Sequence, residues 1–574
     1  MCGIAGFLSL NRSFDQQTLN NFVLSLHHRG PNANGTFIEN NVGLAHTRLS
    51  IIDVSDNANQ PFVSKSGRYV MVFNGEVYNY KELKNKYNIS THTNSDTEII
   101  IELFELLGVK CVEELRGMFA IVIYDNMKES LTILRDRLGI KPLYYYQDKD
   151  SFVFASELKA ICAIPEIKSQ LSVDILASSH YLHLGFVPSP HSIYNEIKKI
   201  PSGHIGKIDK NGKLEIKAYW KAENYLIKHE LSYSESKNKV RDLLYQSVNE
   251  HLISDVPLGL FLSGGIDSSL LAAIANQLQP NKLTSYTIGF ENSAYDEVPH
   301  AIEIANYIGI KNKHIYLKDK DIIRIHKTLK SIYDEPFADT SAIPTLFVSE
   351  LASKDVKVVV SGEGADELFL GYGSHIWANR LNSGMNKFAL LPLKAISLFY
   401  KDKRIEKAIR LFSLSEKSTK ASMLYNIEHD LFSSSEMANL NGNKTYKGFQ
   451  FLLDNDDFIN HTLFELNIAM QDGLLVKMDR ASMHHSLEAR VPYLDHKLVE
   501  FALSMIKTNS SKTIIKKQLL KELLFELVPQ KYFNRKKWGF GIAKNESFTN
   551  HLKTHLPLNN KENNLQKLFS LNQL

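Results

Sequence analysis

Residues Asp255–Ala273 read DVPLGLFLSGGIDSSLLAA, and this stretch decides the fold of the second half of the chain. Leu258 to Leu262 is a short apolar run, as a strand buried on both faces requires. It breaks at Ser263-Gly264-Gly265, and helical spacing follows from Ser269 to Gln277. Two glycines let backbone approach a ligand closely, serine hydroxyls donate, and the start of a helix favours anions. The turn lacks the Lys-Ser/Thr ending of a P-loop and the GxGxxG spacing, and taken alone it is a weak signal.

Working outward, a helical stretch from Ser234 to Leu252 precedes the turn. A strand Thr284–Ile288, a helix Val298–Ile308 and a strand Val356–Val360 follow it. Strands alternating with helices predict an α/β parallel-sheet domain whose ligands sit beyond the carboxyl ends of the strands. After Gly373 the pattern is mostly helical, with polar breaks near Asn382, Ser434 and Asn441. The most apolar stretch, FALLPLKAISLFY from Phe388 to Tyr400, is interrupted by Pro392 and Lys394 and reads as a buried helix. Asn563–Leu574 is expected to fray.

The first two hundred residues have another rhythm. Apolar or alternating runs at Tyr69–Phe73, Phe119–Tyr124, Leu131–Leu134, Leu143–Tyr146 and Phe152–Phe154 are separated by Gly, Asn and Asp turns. That pattern predicts layered antiparallel sheets, joined by helices at Leu19–Leu26 and Asp96–Leu107 in an α+β arrangement. The division expected is a domain over 2–205, a linker over 206–231 and a second domain over 232–574.

Among the 574 residues, Lys plus Arg total 67 and Asp plus Glu 63, and no block of like charge stands out. Nucleic acid is therefore not an expected partner, although Arg535-Lys536-Lys537 could meet a small phosphorylated ligand. The three cysteines, Cys2, Cys111 and Cys162, fit neither a disulfide framework nor a zinc site, which favours a reducing, cytoplasmic compartment. The start, MCGIAGFLSL, has no basic lead-in to a long apolar core, so neither a signal peptide nor a membrane partner is expected.

Cys2 directly follows the initiator Met. Removal of Met1 would leave a thiol beside its own α-amine, which titrates near about 7.7–8.0 and can act as a base. CGIAGF at the start is followed by HRGPN at 28–32, HTRLSIID at 46–53, FNGEVYN at 73–79 and SDTE at 95–98. In order and spacing these motifs closely resemble the class II glutamine amidotransferase domain, an N-terminal-nucleophile hydrolase, over nearly all of residues 2–200. The resemblance implies that Cys2 attacks the glutamine amide and that Asn74 (side chain) and Gly75 (backbone N–H) hold the oxyanion. It further implies that Arg48 clamps the α-carboxylate and that Glu76 and Asp96 receive the α-ammonium. A structural ion-pair role for Arg48 and Asp96 stays open. One departure is Asn32, where the family carries an acid.

The string SGGIDSS resembles the pyrophosphate loop of the N-type ATP pyrophosphatases, which adenylate a substrate. On that resemblance ATP is held by Leu262, Ser263, Gly264, Gly265, Asp267, Ser268 and Ser269, with Ile288 of TSYTIGF near the nucleoside. In VVVSGEGADELFLGY (358–372), Ser361 and Gly362 contact the nucleotide, and Asp267 and Asp366 supply oxygens for Mg²⁺. Glu363 is the expected general base or positioning group, and Lys477 in LLVKMDRASMHHSLEARVPYLDH (474–496) neutralises charge at the α-phosphate and acyl centre. Asp479-Arg480 and Glu488-Arg490 read as structural ion pairs.

A class II glutaminase followed by such a pyrophosphatase is similar to the glutamine-hydrolysing asparagine synthetase family, and DEPFADTSAIPT (334–345) fits the same pattern. The implied reaction adenylates the β-carboxylate of aspartate and displaces AMP with glutamine-derived ammonia, which needs a sheltered route between the sites. A homodimer is what the resemblance suggests. Leu370 stands where relatives carry a glycine, and Ala543 in KKWGFGIAK (536–544) where they often carry proline. Both departures leave open another carboxylate, such as a hexuronic acid of a surface polysaccharide. A non-catalytic regulatory protein on this fold is the rival of a different class.

Overall fold

The computed structural model describes residues 2–291, 296–382, 386–400, 402–441, 445–509, 516–534, 546–554 and 564–574. The 536–544 segment, with Ala543, and the Arg535-Lys536-Lys537 cluster lie outside the described residues, as does Met1.

The first part is built on two six-stranded antiparallel sheets. Across the first run Ile197–Lys199, Tyr144–Gln147, Ser151–Ala155, Gly3–Ser9, Val42–Arg48 and Ala33–Glu39. Across the second run Leu214–Ala218, His204–Ile208, Ser130–Arg135, Gly117–Asp125, Tyr69–Val77 and Phe62–Val63. Side-chain alternation builds the layers. Ile4, Leu8, Val42 and Leu44 of the first sheet meet Val70, Val72, Ala120 and Val122 of the second in a dry interlayer. The residues between them, Ala5, Phe7 and Ala45, face the helix Gln16–Leu26 through Leu19, Phe22 and Leu26. On the outer face of the second sheet Met71, Phe73, Phe119 and Ile121 receive Ile99, Ile100 and Leu103 of the helix Asp96–Leu107. Four of the five strand runs expected from sequence lie within observed strands, and the fifth, Leu143–Tyr146, begins one residue ahead of the strand Tyr144–Gln147. The sheet also runs on through His204–Ile208 and Leu214–Ala218, so the first half of the expected 206–231 linker is paired strand.

The second part holds a five-stranded parallel sheet, in the order Lys311–Leu317, Thr284–Phe290, Leu258–Phe261, Val358–Val360, Glu488–Arg490. Its strands Leu258–Phe261 and Val358–Val360 are short and carry no polar side chain, as strands buried on both faces require. The helices Tyr233–His251, Ile266–Leu278 and Val298–Ile308 follow the expected positions closely.

Two expectations fail. From Leu390 to Tyr400 the stretch is not buried: Leu398 and Phe399 are each 83% exposed. Its helix, Asn386–Ser397, carries Pro392 and stands at the surface. Conversely, the chain end does not fray but forms the helix Leu565–Gln573, whose Leu568 and Phe569 are buried, with Phe569 against His326.

Candidate functional site

Cys2 leads into the first strand, beside the centre of Tyr69–Val77. Its backbone N–H donates to Asn74 Oδ1 at 3.0 Å. Asn74 is buried, and its Nδ2 has no hydrogen-bond partner among the described residues. A buried amide N–H₂ left unpaired is costly unless a ligand oxygen completes it, and here it lies one side-chain length from the thiol's own backbone. Gly75 follows at φ +152, and a Cβ there would stand 2.0 Å from Met118 O across the strand pair. Only glycine fits, because any side chain would strike the neighbouring strand. Burial pushes the Cys2 thiol above its ordinary pKa, so the nucleophile needs a base to ionise.

Cys2, Arg48, Gln60, Gly75, Glu76 and Asp96 line a pocket of about 340 Å³, its mouth included. Arg48 makes no ion pair within it. Its guanidinium donates to Ser55 O at 2.7 Å, to Asn59 Oδ1 at 2.8 Å and to Asp53 O. It is thus held in place by neutral oxygens rather than by a direct carboxylate contact. Asp96 opens the helix capped by Ser95 and accepts from Val77 N–H at 3.0 Å. Burial, against the pull of these hydrogen bonds, raises its carboxyl to about 6. Glu76 is raised well above the ordinary range, first by burial and then by its neighbours Glu488 and Asp96. Arg490 Nη2 lies 3.3 Å from Glu76 and its Nε donates to Glu488 at 2.6 Å. Arg490 thus pairs with Glu76 and Glu488, while Asp96 on the same pocket has no cation in contact among the described residues, a setting that a ligand ammonium would complete. Sequence reading placed Glu488 with Arg490 but missed that this pair reaches Glu76, and missed Gln60, whose Oε1 accepts from Phe73 N–H at 2.6 Å.

Asn32 Oδ1 accepts from Ser50 N–H and from Lys357 Nζ, each at 3.1 Å. Both bonds need an oxygen acceptor rather than a negative charge, so asparagine fills the position of the acid.

At the end of Leu258–Phe261, Leu262 continues the chain into the turn, and its carbonyl accepts from Thr287 Oγ1 at 2.7 Å. That bond ties the turn to the Thr284–Phe290 strand, where Ile288 is buried. Ser263 Oγ meets Ser268 Oγ at 3.1 Å and accepts from Gly265 N–H at 3.2 Å. Gly264 takes φ +72, and Gly265 caps the helix Ile266–Leu278 without a side chain. Ser269 is fully buried beneath the turn. Gly362 lies beside the first turn, where a Cβ would stand in ordinary contact, 3.4 Å from Asp267 Cβ and from Ser268 N. Ser361 N–H donates to Arg490 O at 2.8 Å, and its hydroxyl donates to Glu363.

Lys517 was not anticipated. Its Nζ lies 2.5 Å from Asp267 Oδ2 and 2.5 Å from Asp366 Oδ1, so both carboxylates converge on one buried ammonium. Lys517 itself sits at φ +52, just before the helix Gln518–Leu527. In sequence it is one lysine of KKQLLKELL, with the look of a solvated helix start. Two carboxylates brought to one point fit a divalent cation that completes its shell with phosphate oxygens and water. Among the described residues no cluster of three or more His, Cys, Asp or Glu offers a metal cage. Lys477 stands elsewhere in its contacts: its Nζ donates to Ser341 Oγ at 2.9 Å and lies 3.4 Å from Asp339. The DEPFADTSAIPT segment thereby meets the helix Leu475–Met483. Asp479 and Arg480 do not pair with each other as their adjacency suggested. Asp479 takes Arg29 at 2.8 Å, and Arg480 takes Glu157 at 2.8 Å.

The sequence matches the family profile described as Asparagine synthase over residues 239–570, and that of the Glutamine amidotransferase domain over 1–220. It is 33% identical to asparagine synthetase [glutamine-hydrolyzing] 1 of Bacillus subtilis, over 94% of this chain and 87% of that protein. It is 30% identical to asparagine synthetase [glutamine-hydrolyzing] 3 of the same organism, over 96% and 88%. Amidase chry2 of Gibberella zeae is 27% identical over 94% and 88%. The chain belongs to the asparagine synthase family. It is a glutamine-dependent ligase with ATP as co-substrate and small molecules as substrates.

Proposed function

We propose that the chain moves ammonia from glutamine onto the β-carboxylate of aspartate through an acyl-adenylate, giving asparagine, glutamate, AMP and diphosphate. The observation that carries this reading is Arg490, whose side chain rests on Glu76 while its carbonyl receives Ser361 N–H. One residue thus touches the thiol pocket and the second Gly-rich turn, as two chemistries working in one cycle require.

In this scheme Met1 is removed and the freed α-amine of Cys2 takes the thiol proton. The sulfur adds to the amide carbon of glutamine, and Asn74 Nδ2 and Gly75 N–H receive the oxyanion. Collapse to the thioester returns the proton to the leaving nitrogen, and water then releases glutamate. Arg48 takes the α-carboxylate as a two-pronged donor, with Glu76 and Asp96 on the α-ammonium. At the second site Leu262–Ser269 cradle the β- and γ-phosphates, with Ile288, Ser361 and Gly362 at the nucleoside end. The acceptor carboxylate attacks the α-phosphorus and diphosphate leaves; ammonia then attacks the acyl carbon and AMP leaves. Glu363 takes or positions the ammonia proton, and Lys477 balances charge at the acyl centre. Asp267 and Asp366 would hold Mg²⁺, which neutralises phosphate charge when bound, and Lys517 would add a second cation to the departing diphosphate. We place the boundary between the two functional halves after Ala218 and before the helix starting at Tyr233. From the family resemblance the reading carries a cytoplasmic location and a homodimer.

The departure that brings a second acceptor, a uronic acid, into the test is Leu370, which takes φ +58 beside Gly371 and the Asp366 turn. A side chain in this left-handed region costs about 1–2 kcal/mol, a strain that a specificity-setting position can retain. The test is mass-spectrometric product analysis of the full chain with glutamine, ATP and Mg²⁺, offered aspartate or glucuronate. Asparagine formed in step with AMP supports the reading. A uronamide without asparagine replaces the acceptor, and ADP in place of AMP overturns the adenylation scheme.

A further inference from the structure

The helical region between the fourth and last strands of the parallel sheet carries an apolar surface that no described residue covers. Leu391 is 76% exposed, Leu398 and Phe399 83%, and Tyr400 69%. They lie along the helix Asn386–Ser397 and the residues that end it. Single exposed leucines are ordinary, but three consecutive exposed residues, Leu398, Phe399 and Tyr400, at the end of a helix that also exposes Leu391 and Ile396 concentrate apolar surface and mark an interaction surface.

Charge selects the occupant. Between Asn386 and Phe412 the sequence has seven basic residues and two acidic ones, a net +5 in a chain whose total is +4. Beside the aromatic run, Lys394, Arg404 and Arg410 are exposed. The helix Lys403–Phe412 that presents two of them is anchored from behind by Leu411 and Phe412, with Phe412 edge-on to Trp377 at 5.8 Å. The arrangement is therefore a basic helix fixed to the domain, next to a short apolar helix ending in two exposed aromatic rings. Apolar and aromatic side chains that enter the headgroup boundary, flanked by cations that meet phosphate, define a surface that lies on a membrane. No helix among the described residues is long and apolar enough to cross one.

We propose that this face docks the enzyme onto an anionic phospholipid bilayer, with Leu398, Phe399 and Tyr400 inserted at the headgroup level and Lys394, Arg404 and Arg410 on the lipid phosphates. This revises the sequence-based expectation that no membrane partner exists. It does not depend on which carboxylate is amidated.

The test is flotation of the full chain with vesicles of phosphatidylcholine alone or with phosphatidylglycerol, at low and high salt. The expected result is binding to the anionic vesicles only, weakened by salt because exposed charge pairs are screened within about 8–10 Å. Arg404→Glu should weaken binding about fivefold or more, as expected for losing one basic contact with an anionic surface. The double change Leu398→Ser with Phe399→Ser should abolish binding while AMP formation in solution is unchanged, which separates docking from folding and from catalysis. Equal binding to neutral vesicles, or none to either, overturns the proposal. So does a dimer that the double change dissolves without vesicle binding, which would make the patch a contact between two copies of the chain.

Discussion

Arg490 Nη2 stands 3.3 Å from Glu76 Oε2, and both side chains are buried. Glu76 belongs to the strand that carries Asn74 and Gly75; Arg490 belongs to the last strand of the parallel sheet. Arg490 also bonds Glu488 and the carbonyls of His251 and Ile253. Arg490→Met should therefore cost about 3–5 kcal/mol of stability, the usual loss when one partner of a buried pair is removed. A shift of the urea midpoint measures it. A midpoint within error of the parent would show that the guanidinium is dispensable.

Cys2→Ala should remove glutamine-dependent amidation and spare the reaction driven by added ammonium salts. Steady-state AMP formation with each nitrogen source checks this. Loss of both activities together would contradict the assignment of separate tasks to the two pockets.

Glutamine hydrolysis should fall as pH drops through about 6, because burial raises Asp96 to that value and a protonated carboxyl cannot receive an ammonium. In stability the sign is reversed. The raised carboxyl favours the folded state below the ordinary aspartate value of 3.8, and that advantage is lost as pH rises through about 6. Asp96→Asn should flatten the acid limb of kcat/KM for glutamine and raise its KM. A variant that keeps the parent's limb would point to another group.

Lys517→Met should tighten apparent Mg²⁺ affinity, since the ammonium that shares Asp267 and Asp366 is gone, while slowing cleavage of ATP to diphosphate about tenfold or more. Metal titration of initial rates reads both effects. Weaker metal binding with unchanged turnover is the outcome that excludes the bridge.

Glu363→Gln keeps the shape that accepts the Ser361 hydroxyl but removes the charge. Amide formation should drop about 10²-fold or more with glutamine and with ammonia alike, in the range of general-base losses. Full turnover with ammonia would discharge Glu363 from the chemistry.

Much of this was legible because local signals and tertiary demands agree. Short apolar runs between turn residues became strands, and Gly75 and Gly264 stand where positive φ or a 2.0 Å clash excludes a side chain. What escaped is what pattern cannot encode. Lys517 reads as one more helix-start lysine until folding sets it between Asp267 and Asp366. Arg490 advertises its neighbour Glu488 but not Glu76. The apolar Phe388–Tyr400 run carries the composition of a core helix, and only the surrounding packing leaves its Leu391 and Leu398–Tyr400 bare.

The contacts of Arg29 with Glu157 and Asp479, and of Arg480 with Glu157 and Asp334, have a bearing on engineering. Neither portion of this ligase is a detachable cassette. Cut apart, each would present half of a formerly dry ionic seam to solvent, and grafting either onto a foreign partner would succeed only if the recipient supplied the missing counter-charges at the same places.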